Sequence, residues 1–178
     1  VKLNQAPGAD RIDWDSATTD PAGLLPSLDI DQSVQLTVTA AGSLDIGGAV
    51  VAVVPADGLT LEIATADVLT GNATLGTLTA ADVLSFTVTD ASLFVGSGAS
   101  LNASRDGIET GSAVGFSVSG ASFSMASVTA GGASYTGVSA GVSQAALVGV
   151  SGVDLQVSGT VKLNQAPGAD RIDWDSAT

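Results

Sequence analysis

The stretch LSFTVTDASLFV (residues 84–95) alternates apolar and small polar residues through Leu84, Phe86 and Val88, breaks at Asp90-Ala91, and resumes with Leu93 and Val95. Strict alternation is the mark of a strand with one buried face, because successive side chains of an extended chain point to opposite sides. The same pattern returns as VQLTVTAAGSLDI (34–46), LTLEIATADVLT (59–70), VGFSVSGASFSM (114–125), VSAGVSQAALVG (138–149) and VDLQVSGTVKLN (153–164). Each has three alternating apolar positions, a short run of small or polar residues, and two more apolar positions. Ala66, Ala91, Ala121 and Ala145 fall where a bend leaves no room for a large side chain. Each segment therefore reads as two strands joined by a shallow corner.

Segment starts at 34, 59, 84, 114, 138 and 153 are spaced by 25, 25, 30, 24 and 15 residues. Similar units at such intervals suit a solenoid, in which each coil buries its apolar face only by stacking on the next. Turn signals lie between the segments: Pro55-Ala56-Asp57-Gly58, Gly71-Asn72, Gly96-Ser97-Gly98, Asp106-Gly107 and Gly131-Gly132. No run keeps a helical period for three turns. The expected fold is all-β, a parallel β-solenoid or β-prism-like stack of degenerate coils of about 25 residues. The alternative is a tandem Ig-like β-sandwich, against which stand the scarce aromatics and the mutual likeness of the segments.

A second repetition is exact. Residues 161–178 (VKLNQAPGADRIDWDSAT) duplicate residues 1–18, so the chain of 178 residues holds 160 unique positions. This reads as one 160-residue period of a tandem array plus the opening of the next, with the cut falling inside a patterned segment, and no secretory leader opens the chain. Residues 1–33 form a junction or linker with a partial strand, 34–165 the stacked β repeat domain, and 166–178, a copy of 6–18, the start of the next repeat. Within the junction, Trp14 with Leu24, Leu25 and Leu28 is the expected satellite core.

Charge and composition narrow the function. Five Lys and Arg stand against 18 Asp and Glu, a net charge of −13; the second copy contributes three Asp, Lys162 and Arg171, which leaves −12 per period. Such a chain lacks the cationic face that nucleic acid or anionic lipid requires. No apolar run reaches the 18 to 20 residues that span a bilayer. Neither nucleic acid binding nor membrane insertion is expected. Cys and His are absent, which removes disulfides, thiolate or imidazole metal sites, and Cys-His or Ser-His-Asp catalysis.

The densest carboxylate group is Asp10, Asp13 and Asp15, with Asp29 and Asp31 beyond. Hard oxygen ligands in a linker loop suit Ca²⁺, against which stands a solvated loop whose Asp residues serve turns and caps. Asn102-Ala103-Ser104-Arg105-Asp106-Gly107 matches the first half of an EF-hand loop but has Ala113 at the bidentate position, so it reads as a turn. The only glutamates, Glu62 and Glu109, lack the aromatic setting of a glycosidase, and no enzymatic activity is expected. The Thr37/Thr39 and Thr87/Thr89 pairs do not recur on every segment, so they read as ordinary outward strand residues. Asn72-Ala73-Thr74 and Asn102-Ala103-Ser104 fit the N-glycosylation sequon.

Residues 121–128, 145–157 (AALVGVSGVDLQV) and 161–174 (VKLNQAPGADRIDW) resemble units of giant secreted bacterial surface proteins of the adhesin or haemagglutinin type. The RTX nonapeptide of many such proteins is absent. The resemblance implies an extracellular or cell-surface location and a fibre or stalk built of tandem units. The expected function is a structural spacer, whose partners are adjacent repeats of the same chain or end-to-end copies and which requires no cofactor. The alternative is a Ca²⁺-dependent ligand-binding adhesin module that uses the Asp-rich junction loop.

Overall fold

A computed structural model describes residues 1–6, 10–17, 23, 25 and 28–178. The described residues form nine strands: β1 (Lys2–Leu3), β2 (Val34–Ile46), β3 (Val50–Leu69), β4 (Thr77–Ser97), β5 (Ser100–Leu101), β6 (Ile108–Glu109), β7 (Val114–Ala130), β8 (Ala133–Val148) and β9 (Gln156–Gln165). There is no helix among the described residues. Seven strands make one sheet in the order β1-β2-β3-β4-β7-β8-β9, and β5 and β6 pair as a separate hairpin. Every pairing is antiparallel. The sheet is a meander and does not close into a barrel.

The all-β expectation holds, but the parallel solenoid does not. Gly131 and Gly132, with φ of 57° and 81°, join Ala130 to its partner Ala133 in a two-residue turn. Such a turn connects only antiparallel neighbours, whereas parallel strands need a crossover of a dozen residues or more. Gly47 and Gly48, also at positive φ, with Ala49 form a three-residue turn that reverses β2 into β3 between the partners Ile46 and Val50, and Asp45 accepts the Gly48 N–H at 2.8 Å. The interval of about 25 residues that suits a coil is here a long strand plus its turn. The segments resemble one another because neighbouring strands share the same two faces of one sheet. Strands that follow one another in chain order without a Greek-key crossover also set this sheet apart from an Ig-like sandwich.

The corners are real, and they line up. Register shifts occur between Ala40 and Gly42 on β2, Val53 and Leu59 on β3, Val88 and Leu93 on β4, and Val142 and Ala145 on β8. Asp57, Asp90 and Gly120 adopt positive φ at this level. A bulge bends and twists its strand, and a row of them bends the whole sheet. Ala91, Ala121 and Ala145 lie at the row as expected. In β3 the corner of this row falls at residues 54–58, ahead of Leu59, so the apolar run 49–54 leads into a strand whose second half begins at Leu59, and a second register shift follows at the small residue Ala66, between Ala66 and Val68.

Below the corners, Leu36, Leu61, Phe86, Met125 and Val138 are on one face by their register, and the Phe86 and Phe123 rings meet at 5.9 Å. These side chains are half-buried. Above the corners a compact cluster forms from Val51, Phe94, Ala99 and Ala113, with Leu101, Ile108 and Val148 against it. The β5–β6 hairpin supplies its lid. Phe94 is fully buried, and its ring lies 2.9 Å from where a Cβ on either Gly96 or Gly115 would stand. The absence of side chains there makes room for the tip of the ring against the two strands.

Truncating Phe94 should therefore be costly where truncating Phe116, which is 48% exposed, is not. In urea denaturation we expect Phe94→Ala to lose about 3 to 5 kcal/mol and Phe116→Ala less than about 1.5 kcal/mol.

Candidate functional site: one segment docked at two edges

The identical segments 1–18 and 161–178 lie at opposite edges of the sheet. Lys2 and Leu3 pair with Thr37 and Leu36 of β2, while Val161 to Gln165 pair with Ala140 to Thr136 of β8. In both copies the chain then turns back over its own strand and forms the same small polar core. Asn4 Nδ2 donates to the Ile12 carbonyl at 2.8 Å and Trp14 Nε1 donates to Asn4 Oδ1 at 3.2 Å. In the second copy Asn164 Nδ2 donates to the Ile172 carbonyl at 2.8 Å and Trp174 Nε1 to Asn164 Oδ1 at 3.1 Å. An amide side chain donating with its nitrogen and accepting with its oxygen closes a loop without an unpaired buried atom, which would otherwise be costly. No buried side-chain polar atom lacks a partner among the described residues.

Each copy uses this shared frame for different outward contacts. In the first, Trp14 N–H and Asp15 N–H donate to the Ile30 carbonyl at 2.8 and 3.1 Å. Arg11 donates to the carbonyls of Gln32 and Ser33 and to Thr65 Oγ1. In the second, Asp173 N–H donates to the Thr70 carbonyl at 2.9 Å, and Thr178 and Leu69 exchange backbone hydrogen bonds at 3.0 and 2.8 Å. Asn72 Nδ2 reaches the Arg171 carbonyl at 2.8 Å. Ile172 is 1% exposed among Ala81, Val128 and Tyr135, yet its duplicate Ile12 is 50% exposed. The Trp174 indole rests on β8 at Gly137, where a Cβ would stand 2.6 Å from the ring.

An open groove of about 440 Å³ runs beside this indole, lined by Ser85, Ser124, Ser139, Lys162 and Asp175 among others. Lys162 meets Asp175 at 3.3 Å, and both are well exposed.

The five candidate metal-ligating carboxylates do not come together. Asp13 Oδ1 accepts the backbone N–H groups of Asp15 and Ser16 at 3.1 and 3.3 Å. Asp29, at φ 49°, pairs with Lys2 at 2.7 Å. Asp31 Oδ1 accepts from Ser33 N–H at 2.7 Å, Val34 N–H at 3.3 Å and the Ser33 hydroxyl. Asp10 and Asp15 are exposed. No three carboxylates converge in a way that would hold a metal ion among the described residues. The EF-hand-like loop is the β5–β6 turn, in which Asn102 Oδ1 accepts from Asp106 and Gly107 N–H. Of the expected satellite core, Leu24 lies outside the described residues and Leu28 is 39% exposed. The well-buried cluster forms at the other copy, around Ile172 and Tyr135. The Asn–Trp pairing was not anticipated, although an Asn followed ten residues later by Trp, present twice, was visible.

The hydrogen bonds from Ser33, side chain first, hold the Asp31 carboxyl below its ordinary value, with Lys2 a smaller contributor. A lowered folded pKa stabilises the fold at pH above the unfolded value, about 3.9 for Asp, and that contribution is lost as pH falls through the folded value. The difference in Tm between the wild type and Asp31→Asn should thus be open near neutral pH and close in strong acid. Thermal melts across pH would show it. Gly137→Ala should push the Trp174 indole off β8, costing about 1 to 3 kcal/mol. In a Trp14→Phe background the fluorescence of Trp174 should shift to the red.

No family model matches the chain, and neither a curated protein nor a solved structure is significantly similar to it.

Proposed function

We propose that the chain is a structural spacer, one 160-residue period of an extracellular tandem-repeat fibre or adhesin stalk, and that it carries out no reaction. The observation that carries this reading is the duplicated segment: one sequence folds around the same Asn–Trp pair at both edges of a single sheet. A unit whose first and last elements are alike in sequence and conformation is suited to repetition, because whatever follows the second copy can dock on it as β2 docks on the first. Stability in such an array grows by nearest-neighbour terms. A net charge of −12 per period, taken from the sequence, keeps neighbouring stalks soluble and apart. Few Lys and Arg residues offer sites to trypsin-like proteases, which suits an extracellular setting.

Arrays of one, two and four periods, expressed as single chains, test the reading. Small-angle scattering should show the maximum dimension rising by an equal increment for each period added. A four-period chain that collapses to a compact particle, with a dimension growing no faster than the cube root of its mass, overturns it.

A further inference from the structure

Although the two copies share a sequence, they bond to the sheet through opposite edges of their own strand. Ala130 and Ala133 flank a two-residue turn and so form a hydrogen-bonded pair. The β7–β8 register runs without a shift from there, so Thr136, Val138 and Ala140 direct their N–H and C=O groups toward β9. Their partners Gln165, Leu163 and Val161 bond back, which leaves Lys162 and Asn164 with backbone groups pointing outward. In the first copy the parity is reversed. Asn4 N–H donates to the Gln35 carbonyl at 3.0 Å, so Lys2 and Asn4 are the residues bonded to β2. One strand of this sequence can therefore pair with β8 on one side and β2 on the other at the same time.

The loop contacts are complementary in the same sense. Ile172 and the Asp173 N–H are used by the second copy, whereas Ile12 is half-exposed; the Trp14 N–H and the Arg11 guanidinium are used by the first, whereas Arg171 is exposed. Each copy fills the half of the contacts that the other leaves open. Among the described residues, β9 is exposed along nearly its whole length, with Val161 at 72% and Leu163 at 45%, and no strand lies beyond Val38–Ile46 of β2.

We propose that residues 156–178 of one molecule seat on the β2 edge and residues 30–33 of a second copy of this chain, in the place that copy's own residues 1–6 and 10–17 occupy, so that successive copies extend one antiparallel sheet head to tail. This deepens the spacer reading and rests on it in taking 160 residues as the repeat. Displacement is matched residue for residue. It also lengthens the ladder, since Thr160 and Gly159 fall opposite Thr39 and Ala40, which β1 does not reach.

The absence of cysteine makes the junction testable in the full chain. Leu163 of one molecule would face Leu36 of the next, as Leu3 faces Leu36 now, in a non-hydrogen-bonded pair whose short Cβ separation suits a disulfide. Within one molecule these residues stand at opposite edges and cannot link. Mixing Leu36→Cys protein with Leu163→Cys protein under mild oxidation should yield the disulfide-linked heterodimer several-fold above either homodimer. Adding Asn4→Ala to the Leu36→Cys protein should raise the yield by loosening its own first copy. Adding Trp174→Phe to the Leu163→Cys protein should lower it, circular dichroism verifying that each variant keeps its sheet. Heterodimer no more abundant than homodimers, or a dominant Leu163→Cys homodimer from β9 pairing with itself, overturns the junction. Arrays that lengthen evenly without this cross-link would leave the spacer reading standing and this junction refuted, whereas cross-linking in arrays that collapse would do the reverse.

Discussion

An antiparallel sheet that does not close leaves a row of unpaired N–H and C=O groups along each edge, and the organisation of this protein follows from how those two rows are handled. Exposed edges invite uncontrolled pairing. Here each edge carries the same segment, as the two-residue β1 on one side and the end of the longer β9 on the other, followed by a loop that turns back over it and is closed by an Asn side chain bonded to a Trp indole. The loop of the second copy runs across the sheet to Leu69 and Thr70, tying β9 to strands it does not neighbour. That is how a strand exposed along its length is held without a partner on its far side.

The core is correspondingly thin. Apolar area buried, the main source of stability in a folded domain, is concentrated in two places. One lies under the β5–β6 hairpin, where Phe94 rests over Gly96 and Gly115; the other lies under the second copy, where Ile172 meets Tyr135 and Val128. Both are closed by segments outside the six long strands of the sheet. The sheet face below the corners, with Leu36, Leu61 and Phe86, stays half-buried. Stability thus rests on two separate clusters with a half-buried face between them, which accords with a unit that gains from neighbours on either side.

Much of the secondary structure was legible and its arrangement was not. Alternation at Leu84, Phe86 and Val88 identifies a strand because the period of two is a property of the extended backbone. The same period occurs in parallel and antiparallel sheets, so it could not choose between a solenoid and a meander. The deciding information lay in Gly131-Gly132, legible as a turn, whose two-residue length between strands requires reversal. The corner at Ala91 and Ala121 was read correctly from small residues. In β3 a register shift does fall at Ala66, but the corner that lines up with the others lies at Pro55-Ala56-Asp57-Gly58, which has the composition of a turn between strands and here forms a bulge within one. The carboxylates illustrate a different limit: Asp13 and Asp31 are close in sequence to others of their kind, but their oxygens are taken up by the backbone N–H groups of their own turns.

By itself the sequence determined the β class, most of the turns, the acidity and the 160-residue interval, because these depend on local backbone preference, on side-chain charge and on identity between copies. The tertiary structure decided the direction of the strands, the single sheet, and the different surroundings of two identical segments. Ile12 and Ile172 have the same neighbours in the chain, yet one is half-exposed and the other buried. Burial and hydrogen-bond direction depend on which strand lies alongside, and no local pattern encodes that.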